Sequence, residues 1–147
     1  MDSKLILLEM YKDEWNTCRN HQSLRASMTT MFVAIHSALL ALIVEVTKTG
    51  FNVEYAFLGV VISLFGAFFS KKHHEKFCYH LDRARGYRDD LDSILPEVSL
   101  KSIKDLAEQK TLSKFPCMNL VNLNTLWNMV HVLALLAYLV ILWRYFT

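Results

Sequence analysis

Apolar residues crowd into three stretches of this chain, 28–47, 54–70 and 126–143, and are spaced among charges elsewhere. Each stretch has about 17–20 residues. At roughly 1.5 Å of rise per residue, that crosses a hydrocarbon core of about 30 Å when the flanks snorkel. The second is the shortest and leaves little room for tilt. The pattern predicts an all-α integral membrane protein with three transmembrane helices and a helical extension outside the bilayer.

The polar stretches are patterned too. Residues 3–27 contain no glycine or proline. There Leu5, Leu8, Trp15, Cys18 and Gln22 recur at steps of three and four or their sum, which predicts a helix running on into the first span. Residues 71–125 form a second polar region. Phe77, Leu81, Ala84, Leu91 and Leu95 follow a four-three spacing with Arg88 in the remaining seam position, a short heptad softened by Gly86. The second helix is therefore expected to continue past Ser70 until Pro96 stops it, as a rod of about 60 Å. The extensions 1–27 and 71–95 are expected to pair antiparallel. Ser99 is a candidate N-cap for a short helix with Leu100, Ile103, Leu106 and Ala107 on one side, ending before Phe115 and Pro116. That helix packs on the rod or lies on the inner leaflet. Asn119, Asn122 and Asn124 lead into the third span.

Charge orients the chain. Of 16 lysines and arginines in 147 residues, four precede the first span and ten lie between the second and third. The positive-inside rule then makes the amino terminus and 71–125 cytoplasmic, with the turn at Lys48 and the carboxyl terminus outside. The long charged segment before the first span is unlike the short basic region of a secretory signal, so the span is expected to be retained. Trp127 and Trp143 bracket the third span at the spacing of two interfaces, with Tyr145 and Phe146 strengthening the outer belt. Cys18, Cys78 and Cys117 all fall on the cytoplasmic side, where thiols stay reduced.

Several polar residues invite a functional reading. Thr30, Ala34, Ser37, Ala41 and Glu45 form one small, polar stripe on the first span. Either they let helices approach closely, or several copies turn this face to a shared aqueous path in which Glu45 rings the outer mouth. Gly59, Ser63 and Ala67 read as a small-residue packing face. His36 lies mid-membrane off the stripe, and Asn128 and His131 sit three apart on the third span. Interhelical hydrogen bonding and a proton-sensitive gate are the two readings.

The densest polar run, RARGYRDDL over 83–91, is either a solvated face balanced by its aspartates or an anion site. In the second reading Arg83, Arg85 and Arg88 fork onto phosphate and Tyr87 stacks on a base, while Arg19 and Arg25 contribute from the partner helix. No metal-ligand set is completed around His74, Cys78 and His80, and no phosphate-cradling loop, catalytic pair or nucleic-acid groove is visible. Neither a cofactor nor an enzyme is expected.

The order of parts resembles the prokaryotic SLATT family of small membrane effectors found in antiphage operons. YKDEWNTCRNHQSLRASMTTMF enters the first span, and KKHHEKFCYHLDRARGYRDDL leaves the second as a basic helix. The third span, LWNMVHVLALLAYLVILW, departs from a two-span unit. It is closer in layout to the RipA-like octameric membrane proteins, with Leu95 and Pro96 as their LP dipeptide. Both resemblances imply a homo-oligomer; a tetramer or larger is expected, because three spans cannot enclose water on their own. The SLATT likeness further implies residence in the bacterial inner membrane and a pore opened by a cytoplasmic signal, a nucleotide second messenger or an operon-encoded partner protein, which depolarises an infected cell. The alternative is a non-conducting scaffold that docks a partner protein or anionic lipid.

Overall fold

The computed structural model describes residues 3–47, 53–95, 97–116 and 122–147. Lys48, Pro96, Cys117 and Asn119, which carry the expected outer turn, helix stop, third thiol and first asparagine of the cluster, lie outside them. The described chain is all-α: α1 (Ser3–Thr47), α2 (Val53–Ile94), α3 (Leu100–Lys114) and α4 (Leu123–Phe146). α1, α2 and α4 are long and apolar enough to cross a membrane. With no helix-breaking residue, α1 stays continuous through the change from charged to apolar sequence. Two compact units result, Met1–Gln22 with His74–Asn122, and Ser23–His73 with Leu123–Thr147.

In the second unit, three apolar helices meet along a seam that is largely polar. α1 buries Arg25, Thr29, Phe32, His36, Leu39 and Ile43, in steps of four and three. α2 buries Ser63 and Ser70, and α4 buries His131 and Tyr138. The outward faces are greasy instead, with Phe57, Phe65 and Phe68 of α2 exposed by 62%, 59% and 73%. Polar-in, apolar-out is the arrangement that a hydrocarbon solvent demands. Leu39, Ile43, Ala56 and Tyr138 form the apolar cluster at one end of this unit. Phe32 stands edge-on to Phe65, Phe69 and His131, with ring centres 6.0, 6.5 and 5.3 Å away.

Glycine sets how closely α4 approaches α2. A Cβ on Gly59 would collide with the ring of Tyr138, and one on Gly66 would stand 2.5 Å from Cε1 and Nδ1 of His131. The two glycines are seven residues apart, as are the two rings they receive.

In the first unit, the extensions of α1 and α2 run antiparallel. Cys18 Sγ donates to the Phe77 carbonyl at 3.8 Å, and Glu14 Oε2 meets His80 Nδ1 at 2.7 Å. The α2 seam follows the heptad read from sequence, with Ala84 and Leu91 buried, although Leu95 is 37% exposed. The α1 seam requires a correction. It runs through half-buried Tyr11, buried Glu14 and Cys18 and half-buried His21, while Leu5, Trp15 and Gln22 are exposed. Most of the true seam is polar, so the apolar periodicity fell on its flank.

Ser99 caps α3, its Oγ accepting from the Ser102 N–H at 3.1 Å. Asp92 of α2 completes the cap: its carboxylate accepts the Leu100 N–H at 2.7 Å and the Lys101 N–H at 2.9 Å. No residue of α3 is buried, so this polar joint carries much of its attachment.

Candidate functional site

Three helices of the first unit converge on a hollow of about 340 Å³. Trp15 and Cys18 of α1 with Phe77 and Leu81 of α2 give it an apolar floor. Arg19 of α1, Arg85 and Arg88 of α2 and Lys104 of α3 supply four cations at its walls, beside the neutral Gln22. Among the described residues no carboxylate lines it.

Arg85 and Arg88, three apart, share one face of α2. Arg88 is the most enclosed of these cations whose exposure is resolved, with 11% of its side chain accessible, whereas Arg85 and Lys104 each keep 49%. Each cation also has a partner on its own helix. Arg19 Nη2 donates to Asn16 Oδ1 at 2.6 Å, Arg85 meets Asp82 at 3.1 Å, Arg88 meets Asp89 at 2.7 Å and Lys104 meets Glu108 at 2.9 Å. These carboxylates lie 55–71% exposed, so water and salt screen the pairs and an incoming anion can exchange with them. The Glu108 hydrogen bond pushes the Lys104 ammonium pKa up, so Lys104 is a fixed positive charge. Burial, with the Glu14 charge behind it, pushes the Cys18 thiol up, which leaves the floor neutral. The hollow is therefore a cationic receptacle that also offers apolar surface from Trp15, Cys18, Phe77 and Leu81.

A second, more open hollow of about 610 Å³ lies along α1 between Tyr11, Lys12 and Asn16. It shares Trp15 and Arg19 with the first.

Not every residue of the basic run reaches this site. Arg83 and Tyr87 are four apart and occupy a different face of α2. Arg83 Nη2 bonds Tyr87 Oη at 3.3 Å and Glu14 Oε1 at 3.0 Å, and its guanidinium stands 5.7 Å from the Tyr79 ring centre. Arg83 thus forms an ion pair with Glu14, a buried carboxylate without an apolar signature in the sequence, and His80 Nδ1 lies beside it. Tyr87 does not line the hollow, whose aromatic lining is Trp15 and Phe77. Lys104 carries no distinct signal in the sequence, where Asp105 and Glu108 balance its charge.

Arg25 also lies elsewhere, in the second unit. It is 6% exposed; Nε donates to Ser70 Oγ at 2.9 Å, and Nη2 donates to both the Asn124 carbonyl, at 3.3 Å, and Asn124 Oδ1. The guanidinium carbon is 6.0 Å from the Trp127 ring centre. Arg25 therefore ties α1, α2 and α4 together. Its position on the α1 seam turns it inward, and it does not line the hollow.

No family model, curated protein or solved structure matches the chain.

The stripe Thr30, Ala34, Ser37, Ala41 and Glu45 is exposed along its whole length in the single chain. Thr30 Oγ1 bonds back to the Ala26 carbonyl at 3.0 Å and Ser37 Oγ to that of Val33 at 2.9 Å, which hides both hydroxyls on their own helix. The histidines take the opposite face. Tyr138 Oη donates to the His36 carbonyl at 3.3 Å and stands 3.2 Å from His36 Nδ1. Which partner donates across the Nδ1 contact depends on the tautomer of the imidazole, whose other nitrogen is Nε2. That Nε2, both ring nitrogens of His131 and Asn128 Oδ1 are buried without a hydrogen-bond partner. Cys78 Sγ lies 3.6 Å from His74 Nε2, but among the described residues no three His, Cys, Asp or Glu side chains gather to hold a metal ion.

Proposed function

We propose that this chain is a homo-oligomeric membrane effector, of the kind the SLATT likeness implies, whose cytoplasmic unit reads a signal and whose spans form a gated ion path in a bacterial inner membrane. One observation carries the reading. Thr30, Ala34, Ser37 and Ala41 of α1 are exposed in the protomer, whereas the polar seam on the other side of the helix engages α2 and α4. In lipid, a small-residue face favours close helix contact, and a second copy supplies the surface for it. Three spans of one chain are filled by their own side chains, so a path for ions requires a ring of at least four protomers, with Glu45 attracting cations at one mouth.

α1 and α2 each belong to both units without a break. Binding that prefers one packing of the cytoplasmic unit therefore acts on the same helices that line the membrane unit.

The test is cation flux from liposomes holding the purified oligomer, with and without lysate from cells expressing the flanking genes. Flux that appears only with lysate, and whose cation preference changes in Glu45→Gln, is the expected result. Absence of flux in both conditions, from protein proven oligomeric, overturns the pore in favour of a docking scaffold.

A further inference from the structure

The cationic hollow restricts its ligand by chemistry. Four positive side chains on three helices, with no lining carboxylate among the described residues, favour a group bearing several anionic oxygens over one carboxylate. Guanidinium forks at Arg19, Arg85 and Arg88 match the tetrahedral oxygens of phosphate, and Lys104 adds a point charge from α3. The floor adds a second requirement. Trp15 and Phe77 offer aromatic surface and Leu81 an aliphatic one, which inorganic phosphate leaves uncovered but an apolar or planar substituent covers. The volume, about 340 Å³, is at the small end of ligand sites, which run from roughly 300 to 1,000 Å³.

We infer that the hollow between α1, α2 and α3 binds a phosphate ester carrying a flat or apolar group, with Arg19, Arg85, Arg88 and Lys104 on the phosphate and Trp15 and Phe77 against the remainder. The inference rests on the sensing half of the proposed function and specifies what is sensed. A soluble nucleotide and the headgroup region of an anionic phospholipid share this chemistry, and the experiment separates them.

Full-length protein in phosphatidylcholine nanodiscs is dialysed to equilibrium against labelled ADP, with unlabelled adenosine and inorganic phosphate as competitors. Saturable ADP binding is expected, with each competitor at least tenfold weaker. Arg88→Gln and Lys104→Gln should each weaken ADP at least tenfold. Lys76→Gln, an exposed charge on the same helix, should leave it unchanged. Replacing part of the phosphatidylcholine by phosphatidic acid distinguishes the sources: displacement of ADP assigns the site to lipid, and undisturbed binding assigns it to the nucleotide class. The inference is overturned if neither ester binds saturably, or if the two glutamine variants, eluting as the wild-type oligomer does, bind as well as Lys76→Gln. Flux is read separately, in the liposome experiment, so binding without flux removes the pore and keeps this site, while gated flux without ester binding does the reverse.

Discussion

A methyl group on Gly66 would stand 2.5 Å from two ring atoms of His131, a separation that real side chains do not tolerate. His131 is 1% exposed and packs edge-on against Phe32, so moving it disturbs that contact. Gly66→Ala should therefore destabilise the membrane unit by about 1–3 kcal/mol through overpacking. Denaturant titration in detergent reads the loss. The double variant Gly66→Ala with His131→Ala should lose less than the sum of the two singles; an additive result would remove the contact from the argument.

Arg25 makes charge-assisted hydrogen bonds to both α2 and α4 inside the second unit. Arg25→Gln should cost roughly 1.5–3 kcal/mol for one such bond lost. Arg25→Lys should rescue it poorly, because an ammonium cannot fork toward Ser70 and Asn124 together. Thermal unfolding followed by Trp127 fluorescence, with Trp15→Phe and Trp143→Phe as background, measures both variants.

The Asp92 carboxyl is held below its ordinary range, chiefly by the Lys101 N–H, with the Leu100 N–H and the Ser99 hydroxyl adding to it. A depressed carboxylate contributes stability above its unfolded value, near 3.9, and loses that contribution as pH falls through the folded value. The α2–α3 joint should thus hold unchanged through neutral pH and open on acidification below about 4. Amide exchange at Leu100 and Lys101 reports it. Asp92→Ala should raise both exchange rates several-fold at pH 7, with the Ser102 amide, bound to Ser99, affected less.

Gly86 sits within α2, and a Cβ there meets nothing within 4 Å. Gly86→Ala should stabilise the protein by about 0.5–1 kcal/mol by reducing the freedom of the unfolded chain. A raised Tm is the readout, and a lowered one would show a partner on that face.

The helices were legible because lipid and water write different patterns. Three apolar runs announced three spans, and the Ser99 cap and the Phe77, Leu81, Ala84 and Leu91 seam announced the helical polar region. The packing inside α1 was not legible, for a reason specific to this chain. Its seam carries Glu14, Arg25, Thr29 and His36, whereas periodicity analysis assigns apolar residues to the inside. Within a bilayer that assumption inverts, and in the first unit a buried acid paired with His80 and Arg83 defeats it again. The cationic hollow was half legible: Arg19, Arg85 and Arg88 stood out by type, and the angle between helix faces then excluded Arg83 and Tyr87. Lys104 and Trp15 needed the third dimension.

The matched spacing of Gly59 and Gly66 with Tyr138 and His131 also bears on how the protein is made. Sliding α4 by one turn would set its two rings against Tyr55 and Ile62, or against Ser63 and Ser70, every one of which bears a Cβ where the rings need backbone. One vertical position of α4 against α2 therefore accommodates both rings, as a key with two teeth fits one lock, and the two glycines specify that register independently of the hydrogen bonds to His36 and Arg25.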